Sequence, residues 1–168
     1  IDAQEVEREM RKGGKKALKW RGAADKELGA LVEESKCLIP TEIQKRDEEI
    51  RLARLKGRIV QMLPSKLVWT HKSDGRYKCR LVACGNMARE VLGPLATSDL
   101  DGVMLRFVLS EAAAHEGWII TSVDVSNAFL HSPLPSSRLV IIQPPSFLYR
   151  HGFLQQQVCW IAVKAIYG

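Results

Sequence analysis

Trp118-Ile119-Ile120-Thr121-Ser122-Val123-Asp124-Val125-Ser126-Asn127-Ala128-Phe129-Leu130 is the stretch whose reading decides the fold. A short apolar run rich in β-branched residues ends in one carboxylate, and a polar step then leads to an aromatic ring. Period two places Trp118, Ile120, Ser122 and Asp124 on one face, and Ile119, Thr121, Val123 and Val125 on the other. The run from Trp118 to Val125 therefore reads as the central strand of a sheet. Its second face suits helix packing, and its first can open onto a cleft. A carboxylate there is a hard oxygen ligand of the kind Mg²⁺ shares with phosphates. Alternatively, Asp124 or Ser126 only caps the short Asn127–Leu130 turn. The residues by themselves leave both readings open.

Upstream, Leu100 to His115 is the clearest helix, with Val103, Leu105, Phe107, Val108, Leu109, Ala112 and Ala113 on a broad apolar face. Asp99 or Ser98 is the expected cap and Gly117 the expected stop. Before it, Lys66–His71 and Tyr77–Gly85 read as strands joined at Ser73-Asp74-Gly75, a strong hairpin signal. Alternation puts Tyr77, Cys79, Leu81 and Ala83 on one face of the returning strand, and Lys78, Arg80, Val82 and Cys84 on the other. Residues 1–60 read as charged helices. Glu5 to Lys12 is stopped by Gly13-Gly14, and Trp20 to Cys37 carries apolar residues at helical spacing. Thr41 to Lys56 has thin apolar content and reads as solvated or partner-dependent, with Thr41 as its N-cap. Downstream, 132–137 is a loop, Leu139–Gln143 a strand ended by Pro144-Pro145, and Val158–Val163 a last strand. The order predicts an α+β fold with a largely antiparallel sheet.

The 168 residues suffice for one domain with a real core, or for part of a larger one. No apolar run approaches the ~20 residues of a membrane span, so no membrane partner is expected. The net charge of +6 is spread evenly: 15 Lys/Arg against 12 Asp/Glu in residues 1–60, and 10 against 7 in residues 61–168. A polyanionic partner is compatible with this balance but not dictated by it. Cys37, Cys79, Cys84 and Cys159 form no CxxC pair, which argues against a zinc site and for reduced thiols in an intracellular, cytoplasmic or nuclear setting. An initial Ile and a final Tyr167-Gly168 suggest a piece of a longer translation product.

Several short motifs then fall in order. Tyr77-Lys78-Cys79-Arg80-Leu81-Val82-Ala83-Cys84-Gly85 resembles the K-A-R-L-V-A-R-G signature of copia-type LTR-retrotransposon reverse transcriptases. Asp124-Val125-Ser126-Asn127-Ala128-Phe129-Leu130-His131 resembles their D-V-x-x-A-F-L-H-G motif. Gln143-Pro144-Pro145 is similar to their Q-P-P-G-F element, and Val163 to Gly168 to the start of L-x-x-x-L-Y-G-L-K-Q. Trp20, Ala24, Glu27, Leu28 and Leu31 resemble the W-x-x-A-x-x-x-E-L-x-x-L entry helix. Met62-Leu63-Pro64 through Trp69 to Lys72 is similar to the strand that follows it. The likeness covers roughly residues 20–168.

The resemblance implies a partial right-hand polymerase fold, with a fingers β-hairpin and the front of the palm over 61–168. Residues 1–60 would form a charged entry region with an insertion at 41–57. It implies RNA-directed DNA polymerase activity in the complete protein: metal-dependent nucleotidyl transfer from a dNTP to a primer 3′-hydroxyl. Asp124 would be the catalytic carboxylate, and with the backbone carbonyl of Val125 it would hold Mg²⁺. Lys78 and Arg80 would contact the triphosphate, while Ala128 and Phe129 would floor the nucleotide sugar. Lys72, Arg76 and Arg106 are weaker candidates for template phosphates. The partners would be dNTP, an RNA/DNA primer–template and the rest of the polymerase polyprotein. Cys84, Asn86 and Ser132 depart from the pattern. The Tyr-x-Asp-Asp carboxylates are missing, so this piece is not expected to polymerise alone. The alternative is a decayed or domesticated remnant that binds nucleic acid or protein. A coincidental likeness would leave an unrelated α+β binding domain.

Overall fold

A computed structural model describes residues 1–87, 101–123 and 128–166. By contact the chain separates into one unit of residues 1–89 with 127–168 and another of residues 90–126. The boundary at residue 60 expected from sequence falls inside the first unit.

The first unit is mixed α+β. Its elements are α1 (Ala3–Lys12), α2 (Lys15–Gly29), β1 (Leu38–Glu42), α3 (Ile43–Leu55), β2 (Ile59–His71), β3 (Tyr77–Ala83), β4 (Arg138–Gln143), α5 (Ser146–Arg150) and β5 (Val158–Ala162). The strands form a five-stranded sheet in the order β1-β5-β4-β2-β3. Among the described residues only the β2–β4 pairing is parallel.

The central strand is β4 and not the 118–125 run expected from sequence, of which 118–123 form no strand and Asp124 and Val125 lie outside the described residues. Leu139, Val140, Ile141 and Ile142 are all buried, as a continuous apolar run must be when both faces are covered. Even-numbered side chains meet the α1/α2 side, where Val6, Trp20, Ala24, Leu31 and Phe147 belong to the same cluster. Odd-numbered ones meet Ala53 and Ile50 of α3.

Helix α3 is thus a covering layer and not the solvated helix its composition suggests. One buried alanine and one isoleucine suffice to seat it, while the charged remainder faces water. Thr41 is not its cap: it lies in β1, buried, with its hydroxyl donating to the Ile39 carbonyl at 3.0 Å. The helix begins at Ile43, whose N–H reaches the Gln157 carbonyl at 3.0 Å. Strand β1 itself was not legible, because Pro40 in its middle has no N–H. An edge strand tolerates this.

Strand β2 starts seven residues earlier than Lys66 because it has two partners in succession. Residues 59–64 pair with β4 and residues 65–71 with β3. At the fork Pro64 supplies no N–H, and the Ser65 hydroxyl donates to the Gln143 carbonyl at 2.7 Å instead. The Pro64 carbonyl accepts the Cys84 N–H at 2.8 Å. Beyond this fork β2 and β3 run on as a two-stranded ribbon.

In the second unit, α4 (Gly102–Ala114) forms where its periodicity places it, but its cap is Asp101, whose carboxylate accepts the Val103 N–H at 3.1 Å. Gly117, at φ +83°, follows the helix. Residues 118–123 form no strand. Ile119 is 87% exposed and Val123 84% exposed. β-branched residues favour a pleated surface only where a neighbouring strand supplies one. Among the described residues, none pairs with this stretch.

Because α3 is seated through Ala53, Ala53→Asp should destabilise the protein by about 3 kcal/mol or more, by burying an unpaired charge. Thermal or urea unfolding reads this directly. An unchanged midpoint would mean that α3 stands off the sheet.

Candidate nucleotide-binding ribbon

The β2–β3 ribbon brings together most of the cations singled out by sequence. Its turn forms at Ser73-Asp74-Gly75, where Gly75 takes φ +82° and donates to the Lys72 carbonyl at 2.9 Å. The Asp74 carboxylate accepts the Arg76 N–H at 3.0 Å and its Nε at 2.8 Å. Arg76 is therefore largely engaged at the tip and not held out towards a ligand.

The alternation in β3 is as the sequence reads. Cys79, Leu81 and Ala83 are buried, Arg80 is exposed, and Lys78 is partly exposed. The inward face is anchored by aromatic rings. Trp20 meets Trp69 edge-on at 5.5 Å and Tyr77 at 4.4 Å, and Trp69 meets Phe147 at 5.2 Å. Such pairs contribute roughly 0.5–1.5 kcal/mol each beyond burial. They fix α2 against the ribbon, so that the outward face carries Lys78 and Arg80 on a rigid support. Lys19 of α2 adds a further cation at the ribbon's side, 5.3 Å above the Tyr77 ring.

The charges on this face act on one another. Burial and the neighbouring Arg80 and Lys72 push the Lys78 pKa down, Arg76 adds a weaker push, and Glu27 opposes them. Burial is the larger cause of this fall, and the neighbouring cations add to it. Asp74 moves in the opposite direction, from 3.8 to about 2, because Arg76 donates to its ionised form.

One residue acquires a role that its sequence position did not reveal. Glu27, in the last turn of α2, reaches the edge of the sheet, and its Oε1 accepts the Leu81 N–H at 3.0 Å. Among the described residues strand β3 has no neighbouring strand on that side, so this carboxylate satisfies an edge donor. The spacing Trp20, Ala24, Glu27 and Leu31 was the available signal. It places a ring, a small contact, an edge acceptor and a core anchor on successive turns of one helix face.

The remaining candidates do not belong to the two strands of the ribbon. Asp124 and Val125 lie outside the described residues. Ala128 and Phe129 sit in a 3₁₀ turn, Ala128–His131, whose Leu130 side chain is buried. Arg106 belongs to α4, in the other unit. Among the described residues no cluster of three His, Cys, Asp or Glu side chains could hold a metal ion, and all four cysteines are free. A hollow of about 580 Å³ lies along α3, lined by Asp47, Ile50, Arg51, Arg54 and Leu55, and contains none of the candidate residues. No helix among the described residues is long and apolar enough to cross a membrane.

A mixed α+β unit bearing a basic ribbon, with these motifs along it, defines a class that comparison with known proteins identifies. The reverse transcriptase (RNA-dependent DNA polymerase) family matches residues 53–168, and the chain belongs to that family. It is 35% identical over 116 residues to the Retrovirus-related Pol polyprotein from transposon RE2 of Arabidopsis thaliana, a match covering 65% of this chain. The likeness to copia-type retrotransposon enzymes read from the motifs therefore holds. The chain spans 8% of that polyprotein's length. No solved structure matches.

The turn gives a pH-dependent prediction. The folded-state pKa of Asp74 is depressed, so its contribution to the turn is present above about pH 4 and is lost as pH falls through about 2. A side-chain NMR titration should place the Asp74 midpoint near 2, and Arg76→Ala should return it towards 3.8. A midpoint that does not move in the variant would remove Arg76 as the cause.

Proposed function

We propose that this chain is the fingers and front palm of a copia-type RNA-directed DNA polymerase, and that its ribbon receives the triphosphate of an incoming deoxynucleotide. The carrying observation is the pair Lys78 and Arg80, presented outward on an aromatic-anchored ribbon within the stretch that the family match covers. A guanidinium and an ammonium two residues apart can bind several phosphate oxygens, the first of them bidentately. The complete enzyme transfers a nucleotidyl group from dNTP to a primer 3′-hydroxyl. It works on an RNA or DNA template held by shape and phosphate contacts.

Asp124 and the carbonyl of Val125 are the proposed ligands of a divalent ion. Both donors are hard oxygens, which fit Mg²⁺. When bound, such an ion supplies charge neutralisation at the phosphate undergoing transfer. Lys78 and Arg80 hold the far phosphates in place, and Ala128 and Phe129 form the floor beneath the sugar. The ring of Phe129 crowds a 2′-hydroxyl and so favours deoxynucleotides.

In the complete polyprotein enzyme, Asp124→Asn should lower primer extension by at least roughly a thousandfold while template affinity changes less than about twofold. The substitution removes a metal ligand and no phosphate contact. Extension at the unsubstituted rate would dismiss Asp124 from the reaction.

A further inference from the structure

Glu27 is a partly buried carboxylate placed within electrostatic reach of Lys78 and Arg80. It reaches that position by bonding the Leu81 N–H at 3.0 Å, so its charge is fixed in space and not free to swing into water. Burial raises its pKa above the usual 4.5, while the Leu81 N–H, Lys78 and Arg80 pull it back down. The same carboxylate opposes the fall in the Lys78 pKa. The groups facing it are Lys78, Arg80 and the buried Cys79 thiol from β3, and Cys37 from the segment before β1. No direct ion pair within 4 Å joins Glu27 to Lys78, so their coupling acts through space.

We propose that Glu27 is the built-in counter-charge of the ribbon, a positioning residue that pins the free edge of β3 through Leu81 and sets the resting field around Lys78 and Arg80, which an arriving polyphosphate must overcome. The proposal rests on the reading of Lys78 and Arg80 as triphosphate contacts. Its chemistry is simple. A polyphosphate on the ribbon adds negative charge near Glu27 and screens the two cations that favour its ionised form. Protonation of Glu27 becomes easier in the bound state, so binding draws a proton onto the carboxylate. Affinity therefore gains as pH falls towards the Glu27 range, beyond any change due to the ligand's own protonation.

Glu27→Gln separates the two tasks, because the amide oxygen still accepts the Leu81 N–H but carries no charge. The probe is inorganic tripolyphosphate, titrated calorimetrically into the full 168-residue chain at low salt between pH 5 and 8. Glu27→Gln should bind it roughly threefold or more tightly, as expected for removing one like charge several ångströms away. The variant should also lose the proton uptake seen with the unsubstituted chain, measured as the buffer dependence of the binding enthalpy. Slow exchange of the Leu81 amide in the variant would confirm that the edge stays intact. Equal affinity and equal proton uptake in both proteins, with binding still weakened by Lys78→Gln and Arg80→Gln, would overturn the proposal and leave the ribbon reading standing. Binding indifferent to Lys78→Gln and Arg80→Gln would overturn both.

Discussion

Strand β2 belongs to two pairings, and the fork between them governs the rest of the fold. Up to Pro64 its hydrogen bonds go to β4, inside the sheet. From Ser65 they go to β3, the last strand of the sheet. The transfer works because Pro64 has no N–H to leave unsatisfied, while the Ser65 hydroxyl serves the Gln143 carbonyl. Without the fork β3 would have no long partner strand. With it, the cationic ribbon is a rigid continuation of the core strand pair and not an independent hairpin, which alone would be marginal in water.

A ribbon so projected needs support on at least one face and along its open edge. Helix α2 provides both: Trp20 packs on Trp69 and Tyr77, and Glu27 occupies the Leu81 N–H. The entry helix therefore has a mechanical purpose that explains its spacing. A second tie joins α1 to α5, where Glu7 accepts from Arg150 Nε at 3.1 Å and from its terminal nitrogen at 3.0 Å. These exposed charges add little stability by themselves. They serve to keep α5, and with it Phe147, in register beneath Trp69.

What could be read from the sequence was local. The alternation of Tyr77 to Ala83, the Ser73-Asp74-Gly75 turn, the glycine stop after Lys12 and the β4 and β5 strands each depend on neighbours a few residues away. Strand β1 was not legible, because only its partner β5, more than a hundred residues on, makes Leu38–Glu42 a strand. The seating of α3 was hidden because composition does not report which small residue meets a sheet. Residues 118–123 show the converse: with no partner among the described residues, strong β propensity gives no strand. Of the candidate site, Lys78 and Arg80 could be placed from period two. Glu27 could be placed on its helix but not assigned to the sheet edge, since that requires knowing that β3 is terminal.

Labelling with a deoxynucleoside triphosphate that carries a photoreactive group on its γ-phosphate tests the central claim most directly. The account predicts that the label attaches to the ribbon peptide containing Lys78 and Arg80, and that unlabelled dNTP competes it away. Competable labelling confined to another surface, such as the Arg51 and Arg54 side of α3, would contradict it.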